Sequence, residues 1–147
     1  MGSDRGTEAV EMLQSGFNCA QSVLVCCGEK LPFDRDVALG VASAFGGGLG
    51  SSGNLCGAVA GGVMAIGLKH PRTDPQDQEA KETAIRLTRE FLAKFRERNG
   101  SIECKELLGV DLSLPGSLAT ARDTGLFQTV CSKAVRDAVE ILEEVLK

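Results

Sequence analysis

The sequence of 147 residues contains no tryptophan, no tyrosine and only one histidine, and its formal net charge is -4. Proteins that bind nucleic acid usually present a basic face, and many stack bases on aromatic side chains. The single histidine, His70, follows a predicted helix and fits a surface cap at its C-terminus. The composition therefore argues against a nucleic-acid partner and against a nucleophile of the Cys–His–Asp type.

The sequence also lacks a long unbroken apolar segment. No charged residue occurs from Val37 to Leu68, but the glycine-rich stretch 46–54 divides this segment into two short pieces. Each piece is shorter than the roughly 20 residues of a membrane-spanning helix. Residues 1–6 show no signal-peptide pattern, and we expect them to be disordered. We therefore expect a cytoplasmic protein without a membrane span, in a compartment where thiols stay reduced.

Hydrophobic periodicity predicts helices and no strand. We expect residues 1–147 to form a single all-α domain, a bundle of five to seven helices with a glycine-rich loop before a buried central helix. The predicted helices are 7–14, 18–27, 35–45, 55–68, 77–98, 102–108 and 126–147. The stretch with Pro115 and Gly116 is predicted to be irregular. Helix 55–68 is apolar on nearly all sides, as a buried helix is, and it is also a candidate homodimer interface.

Six cysteines are the main chemical feature of the chain. No two of them form a C-x-x-C pair, which excludes the zinc-ribbon and thioredoxin patterns. Cys19, Cys56 and Cys104 each fall in the first turn of a predicted helix, where free backbone N–H groups and the helix dipole lower a thiol pKa. The predicted N-caps of these helices are Asn18, Asn54 and Ser101. Cys131 lies deeper in the last helix.

Helical phase turns Cys19, Cys56, Cys104 and Cys131 inward, so the four thiols could meet at one point. Such a site would hold an iron–sulfur cluster or a zinc ion. A second interpretation is a metal-free protein in which cysteines such as Cys19 and Cys56 cycle between thiol and disulfide. A third is a helical binding module whose cysteines only pack, because cysteine is among the most buried residue types. We assign Cys26 and Cys27, at a helix end, to packing.

The stretch Gly48–Gly53 reads G-x-G-x-x-G, the dinucleotide-binding pattern. That pattern needs a strand before it and a second strand after the next helix, whereas the sequence predicts neither. We expect instead that the loop brings backbone N–H groups to the cysteine site, with Gly47, Gly48 and Gly57 contacting a bound cofactor. A tight connection between packed helices is the alternative.

The motifs taken in order resemble the C-GCAxxG-C-C family of redox-active proteins. They are GFNCAQSVL at 16–24, FGGGLG at 45–50, CGAVAG at 56–61, Cys104 before Leu107-Leu108-Gly109, and Cys131. The resemblance covers nearly the whole chain and marks Cys19, Cys56, Cys104 and Cys131 as the signature cysteines, whereas Cys26 and Cys27 match no signature position. It implies redox or metal chemistry and gives no substrate.

Residues and resemblance together predict a redox protein whose four thiolates hold an iron–sulfur cluster, with zinc as the other metal considered. Electron transfer with an unidentified partner protein is the expected activity, because no set of residues indicates acid–base catalysis.

Overall fold

A computed structural model describes residues 4–27 and 34–147. Within these ranges the chain forms eight helices and no β-strand, so the all-α class is confirmed while the expected number of five to seven is slightly too low. The helices are α1 (Arg5–Gln14), α2 (Cys19–Cys27), α3 (Arg35–Ala42), α4 (Gly57–Lys69), α5 (Gln78–Asn99), α6 (Cys104–Leu108), α7 (Ser117–Asp123) and α8 (Leu126–Val145). None of the helices in the described part is long and apolar enough to cross a membrane.

The additional helix is α7, which lies in the stretch predicted to be irregular. It begins after Gly116, whose φ of 82° is left-handed, and no side chain caps it. A short helix that begins at a left-handed glycine without a polar cap gives little signal in the sequence. The third predicted helix also ends earlier than expected, at Ala42 instead of residue 45.

The N-terminal segment is more ordered than the sequence indicated. Asp4 is the N-cap of α1, and its Oδ1 accepts the backbone N–H groups of Gly6 at 3.0 Å and Thr7 at 3.3 Å. Gly6 is buried. The expected disorder of residues 1–6 is therefore wrong for residues 4–6, and residues 1–3 lie outside the described ranges.

Close contact between α4 and its neighbours depends on glycines. A Cβ on Gly61 would lie 2.7 Å from the carbonyl oxygen of Ala20 in α2. A Cβ on Gly62 would lie 2.4 Å from the ring of Phe91 in α5. These glycines let α2 and a buried aromatic ring approach the α4 backbone, which offsets their poor helix propensity. The expected buried central helix is thus α4.

The predicted dimer surface on the central helix is largely covered within the chain. α4 packs against α2, α5 and α8, and eight of its thirteen residues are buried there. His70 is the C-cap of α4, as predicted. Dimerisation itself stays a prediction.

α8 holds the bundle together and carries Cys131. Its apolar face packs against α1, α2, α4 and α5. At the α5 side, Arg98 pairs with Glu140 at 2.8 Å and with Asp137 at 3.4 Å, and Lys133 pairs with Asp137 at 2.6 Å. The Arg98 pairs therefore join α5 to α8, whereas the Lys133–Asp137 pair lies within α8.

The contact between Gly62 and the Phe91 ring predicts different effects for two alanine substitutions in α4. Gly62→Ala should lower the free energy of unfolding by about 1–3 kcal/mol, because its Cβ collides with the buried Phe91 ring. Gly67→Ala should leave it unchanged or raise it by up to about 1 kcal/mol, because nothing lies within 4 Å of that Cβ. Urea unfolding measures both, and equal effects would contradict the packing described.

Candidate functional site

One cavity of about 640 Å³ is lined by Cys19, Cys56, Cys104 and Cys131. Gly47, Gly48 and Gly57, the predicted cofactor contacts, line the same cavity. Much of the remaining wall is leucine, phenylalanine and further glycine. The fold thus brings together all seven predicted site residues, although their roles as redox thiols, ligands or cofactor contacts stay predictions.

Cys19 is positioned by a pair of reciprocal hydrogen bonds at the start of α2. The Oδ1 of Asn18 accepts the backbone N–H of Gln21 at 2.8 Å, and the Oε1 of Gln21 accepts the backbone N–H of Asn18 at 2.9 Å. The Nδ2 of Asn18 also donates to the carbonyl oxygens of Ala42 and Ser43 at the end of α3. The predicted cap is confirmed, and it anchors the first residue of α2, Cys19, to a second helix.

An antiparallel β-bridge between Leu55 and Glu103 joins the backbone next to Cys56 to the backbone next to Cys104. The N–H of Cys56 donates to the carbonyl oxygen of Ile102 at 2.8 Å. The N–H of Cys104 donates to the carbonyl oxygen of Asn54 at 2.7 Å. Two cysteines distant in sequence are therefore joined through the backbone itself, by a contact that no strand pattern predicted.

This bridge moves two helix caps away from their predicted positions. α4 begins after Cys56 instead of after Asn54, whose carbonyl is engaged in the bridge. α6 begins after Glu103, and the Oγ of Ser101 accepts the N–H of Glu103 at 3.0 Å just before it. Asn54 and Ser101 therefore form hydrogen bonds in the segments that precede the two helices, and neither of them is an N-cap.

The glycine loop is folded tightly against the cysteines. Gly47, Gly48, Gly50 and Gly53 all have positive φ, and the loop closes through hydrogen bonds such as Asn54 N–H to the Gly48 carbonyl oxygen at 2.9 Å. A Cβ on Gly48 would lie 2.7 Å from the Cβ of Cys104. A Cβ on Gly57 would lie 3.1 Å from the Cβ of Cys19.

The surroundings of the loop exclude the dinucleotide fold, because it connects α3 to α4 instead of a strand to a helix. Within the described chain, the N–H groups of Gly47 and Gly48 donate to no acceptor.

The thiols of Cys19 and Cys131 interact, and this contact shifts their pKa values in opposite directions. The contact, together with the burial of its sulfur, raises the pKa of Cys19 well above its usual range. The same contact lowers the pKa of Cys131, because the neighbouring thiol stabilises its thiolate. Cys131 is thus the cysteine of this pair that ionises first.

Burial raises the pKa of Cys56 to about 11 and that of Cys104 to about 12. The N–H groups of Ala58 and Val59 face the Cys56 sulfur and lower its pKa in part, although their geometry falls short of a capping hydrogen bond. The expectation that a first-turn position lowers the thiol pKa is therefore wrong for Cys19, Cys56 and Cys104. Loss of hydration outweighs the favourable helix end.

The four sulfurs share a cavity without forming a ready metal site. All six cysteines are free thiols. In the described ranges, no group of three or more His, Cys, Asp or Glu side chains is arranged to hold a metal ion. The donor set is chemically suited to zinc or an iron–sulfur cluster, but the expected meeting of four sulfurs at one point is not formed. Binding such a group would require the side chains to move.

Cys26 and Cys27 lie outside this cavity. The Sγ of Cys26 is 3.5 Å from the Sδ of Met12, and both cysteines pack against the main hydrophobic core. Burial raises the pKa of Cys27 to about 12. Their surroundings agree with the packing role that the sequence suggested.

Several polar residues of the cavity wall were not predicted from the sequence, among them Arg122 in α7 and Gln128 in the first turn of α8. Leu118 and Arg122 are four residues apart and both line the cavity, so they share one face of α7. The spacing of four residues was the signal that could have identified Arg122. It is informative only if the segment is first recognised as a helix.

Residues 17–145 match a family model described as "Putative redox-active protein (C_GCAxxG_C_C)". Because the match covers most of the sequence, the chain belongs to this family. No curated protein and no solved structure matches the chain.

The glycine loop allows a paired test of how Cys104 is held. Gly48→Ala and Gly50→Ala both place a Cβ at positive φ, which costs about 1–2 kcal/mol. Only the Cβ of Gly48→Ala meets Cys104 and the Asn54 backbone, since nothing lies within 4 Å at Gly50. Gly48→Ala should therefore cost about 1–3 kcal/mol more in unfolding free energy and speed the alkylation of Cys104. Equal losses and equal alkylation rates would contradict this contact.

Proposed function

We propose that this member of the C_GCAxxG_C_C family is a thiol–disulfide redox protein in which Cys19 and Cys131 form the exchanging pair. The shared position of the two thiols carries the proposal, because both line one accessible cavity and lie near enough to shift each other's pKa. A reducing compartment such as the cytoplasm would return the pair to the dithiol form after each cycle.

The oxidant in this proposal is a disulfide, written RSSR. The thiolate of Cys131 attacks one sulfur of RSSR, a mixed disulfide forms, and RS⁻ leaves and takes up the proton lost by Cys131. The thiolate of Cys19 then attacks the Cys131 sulfur, and the second RS⁻ leaves and takes up the Cys19 proton. Two protein thiols are oxidised to one disulfide while RSSR is reduced to two RSH.

Cys131 and Cys19 differ in ways that suit these two steps. The contact with Cys19 lowers the pKa of Cys131, so the thiolate of Cys131 is the one that is favoured before reaction. Cys19 is half-buried, lines the same cavity and has a raised pKa, which suits a cysteine that reacts second. Cys56 and Cys104 are more deeply buried in the same cavity.

A second candidate is a metal or cluster site, favoured by the presence of all four signature cysteines in one cavity. Cys19, Cys56, Cys104 and Cys131 would supply four thiolates to an iron–sulfur cluster or to zinc. A cluster would supply one-electron transfer to a partner protein. The free N–H groups of Gly47 and Gly48 would be available to donate to sulfur, which tunes the potential of such centres.

The thiol–disulfide proposal predicts a specific cross-link. Reduced protein treated with the neutral reagent hydroxyethyl disulfide should lose two thiols per chain and form a Cys19–Cys131 disulfide, identified by peptide mass spectrometry. Cys19→Ser should stop at the mixed disulfide on Cys131, because the resolving thiol is absent. Cys26→Ser, which alters a cysteine outside the cavity, should react like the wild type. A wild-type protein that forms no Cys19–Cys131 linkage would refute the exchanging pair.

The second candidate predicts binding that depends on the buried cysteines. Anaerobic reconstitution with ferrous iron and sulfide, followed by visible absorption and iron analysis, should give a coloured protein. Cys56→Ser and Cys104→Ser should abolish most of the colour, and Cys26→Ser should not. Zinc uptake is measured in parallel on the same variants. A colourless, metal-free wild type would eliminate this candidate.

A further inference from the structure

The cysteine cavity carries one charged residue whose role the redox chemistry alone does not explain. Among the described residues that line it, Arg122 is the only charged one, and none of them is a carboxylate. The described part of the chain also gives the side chain of Arg122 no ion pair. An arginine that lines a largely apolar cavity without a carboxylate partner favours an anionic group from outside the protein.

α7 places Arg122 on the wall of the cavity that the thiols line, at a position exposed to solvent. Ala121, the preceding residue, is fully buried in a cluster with Cys104, and the half-buried Cys131 packs against that cluster. Leu118, on the same face as Arg122, also lines the cavity. The charge therefore lies on the wall that a molecule reacting with Cys131 would contact.

The dimensions of the cavity indicate a small molecule. Its volume of about 640 Å³ lies within the range of roughly 300–1,000 Å³ that is typical of small-molecule sites. Its wall combines leucine and phenylalanine side chains with one cation and a few uncharged polar groups, such as the amide of Gln128. Such a wall suits a compound with a short apolar body and an anionic end.

We propose that Arg122 is a specificity-determining residue that selects small disulfides bearing a carboxylate or a similar anionic group for reaction with the Cys19–Cys131 pair. This inference rests on the thiol–disulfide function proposed above. The electron balance is that of the exchange already written, with the anionic compound as RSSR. Arg122 takes no part in the bond changes and acts by holding the anionic end of the substrate.

A matched series of reagents tests the selection. Dithiodipropionate, hydroxyethyl disulfide and cystamine share the same two-carbon arms and carry anionic, neutral and cationic ends. The rate of Cys19–Cys131 disulfide formation is measured with each reagent by acid quenching and mass spectrometry. Arg122→Gln should slow the reaction with dithiodipropionate about three- to tenfold, as expected for loss of one charge contact near the surface. It should leave hydroxyethyl disulfide within about twofold and speed cystamine.

Two further variants separate local selection from general charge. Arg122→Lys keeps the positive charge and should retain most of the preference for dithiodipropionate. Arg96→Gln removes the same charge from an exposed position on α5 that does not line the cavity, and it should change none of the three rates appreciably.

The two proposals fail in different ways. If Arg122→Gln changes all three rates equally, or if Arg96→Gln has the same effect, the selection by Arg122 is overturned while the exchanging pair stands. If hydroxyethyl disulfide produces no Cys19–Cys131 linkage in the wild type, the proposed function is overturned and the selection falls with it.

Discussion

The geometry of the cysteine cavity depends on two backbone hydrogen bonds, from Cys56 to Ile102 and from Cys104 to Asn54. Backbone groups buried at this position must be paired, so the bridge satisfies donors that would otherwise cost free energy. Because the donors are the amides of the two cysteines themselves, the fold cannot form this contact without placing both residues at the cavity. The glycine loop then closes over them, since only a residue without Cβ fits at Gly48.

Whether each cysteine is a thiol or a thiolate depends on two opposing effects, the burial of the sulfur and the favourable field of a helix N-terminus. A helix N-terminus favours a thiolate by a modest amount, whereas removing the sulfur from water disfavours it strongly. At Cys56 both effects are present, and burial prevails even with two N–H groups facing the sulfur. At Cys131 the contact with the thiol of Cys19 outweighs burial and lowers the pKa. The thiolate of Cys131 is therefore favoured by a second cysteine more than by its position in a helix.

The parts of the site that local sequence could predict are those formed by local contacts. Asn18 and Gln21 form their reciprocal cap within four residues of chain, so the position of Cys19 was predictable. The bridge that fixes Cys56 and Cys104 joins segments far apart in sequence, and a single pair of bridging residues leaves no alternating pattern. The predicted caps Asn54 and Ser101 were wrong for the same reason, because a tertiary contact shifted both helix starts.

The overall helical fold followed from the apolar pattern, since α5 and α8 each bury a face of regular spacing and α4 is apolar on nearly all sides. α7 did not follow, because it is short and begins at Gly116 without a polar cap. Its omission concealed Arg122, the charged residue of the cavity wall. A missed element of seven residues therefore removed the one feature that suggests which molecules enter the site.

The two candidate functions require different behaviour from the same four sulfurs. A cluster or zinc ion needs four thiolates, and the positive charge of the metal must compensate for their burial. Burial raises the pKa of Cys56 and Cys104, so the surrounding protein favours the thiol form of both. Disulfide exchange needs only one thiolate at a time, and the contact between Cys19 and Cys131 favours that of Cys131. The two candidates thus differ in what would stabilise the ionised sulfur, namely a neighbouring thiol in the exchange reaction and the charge of the metal in a cluster or zinc site.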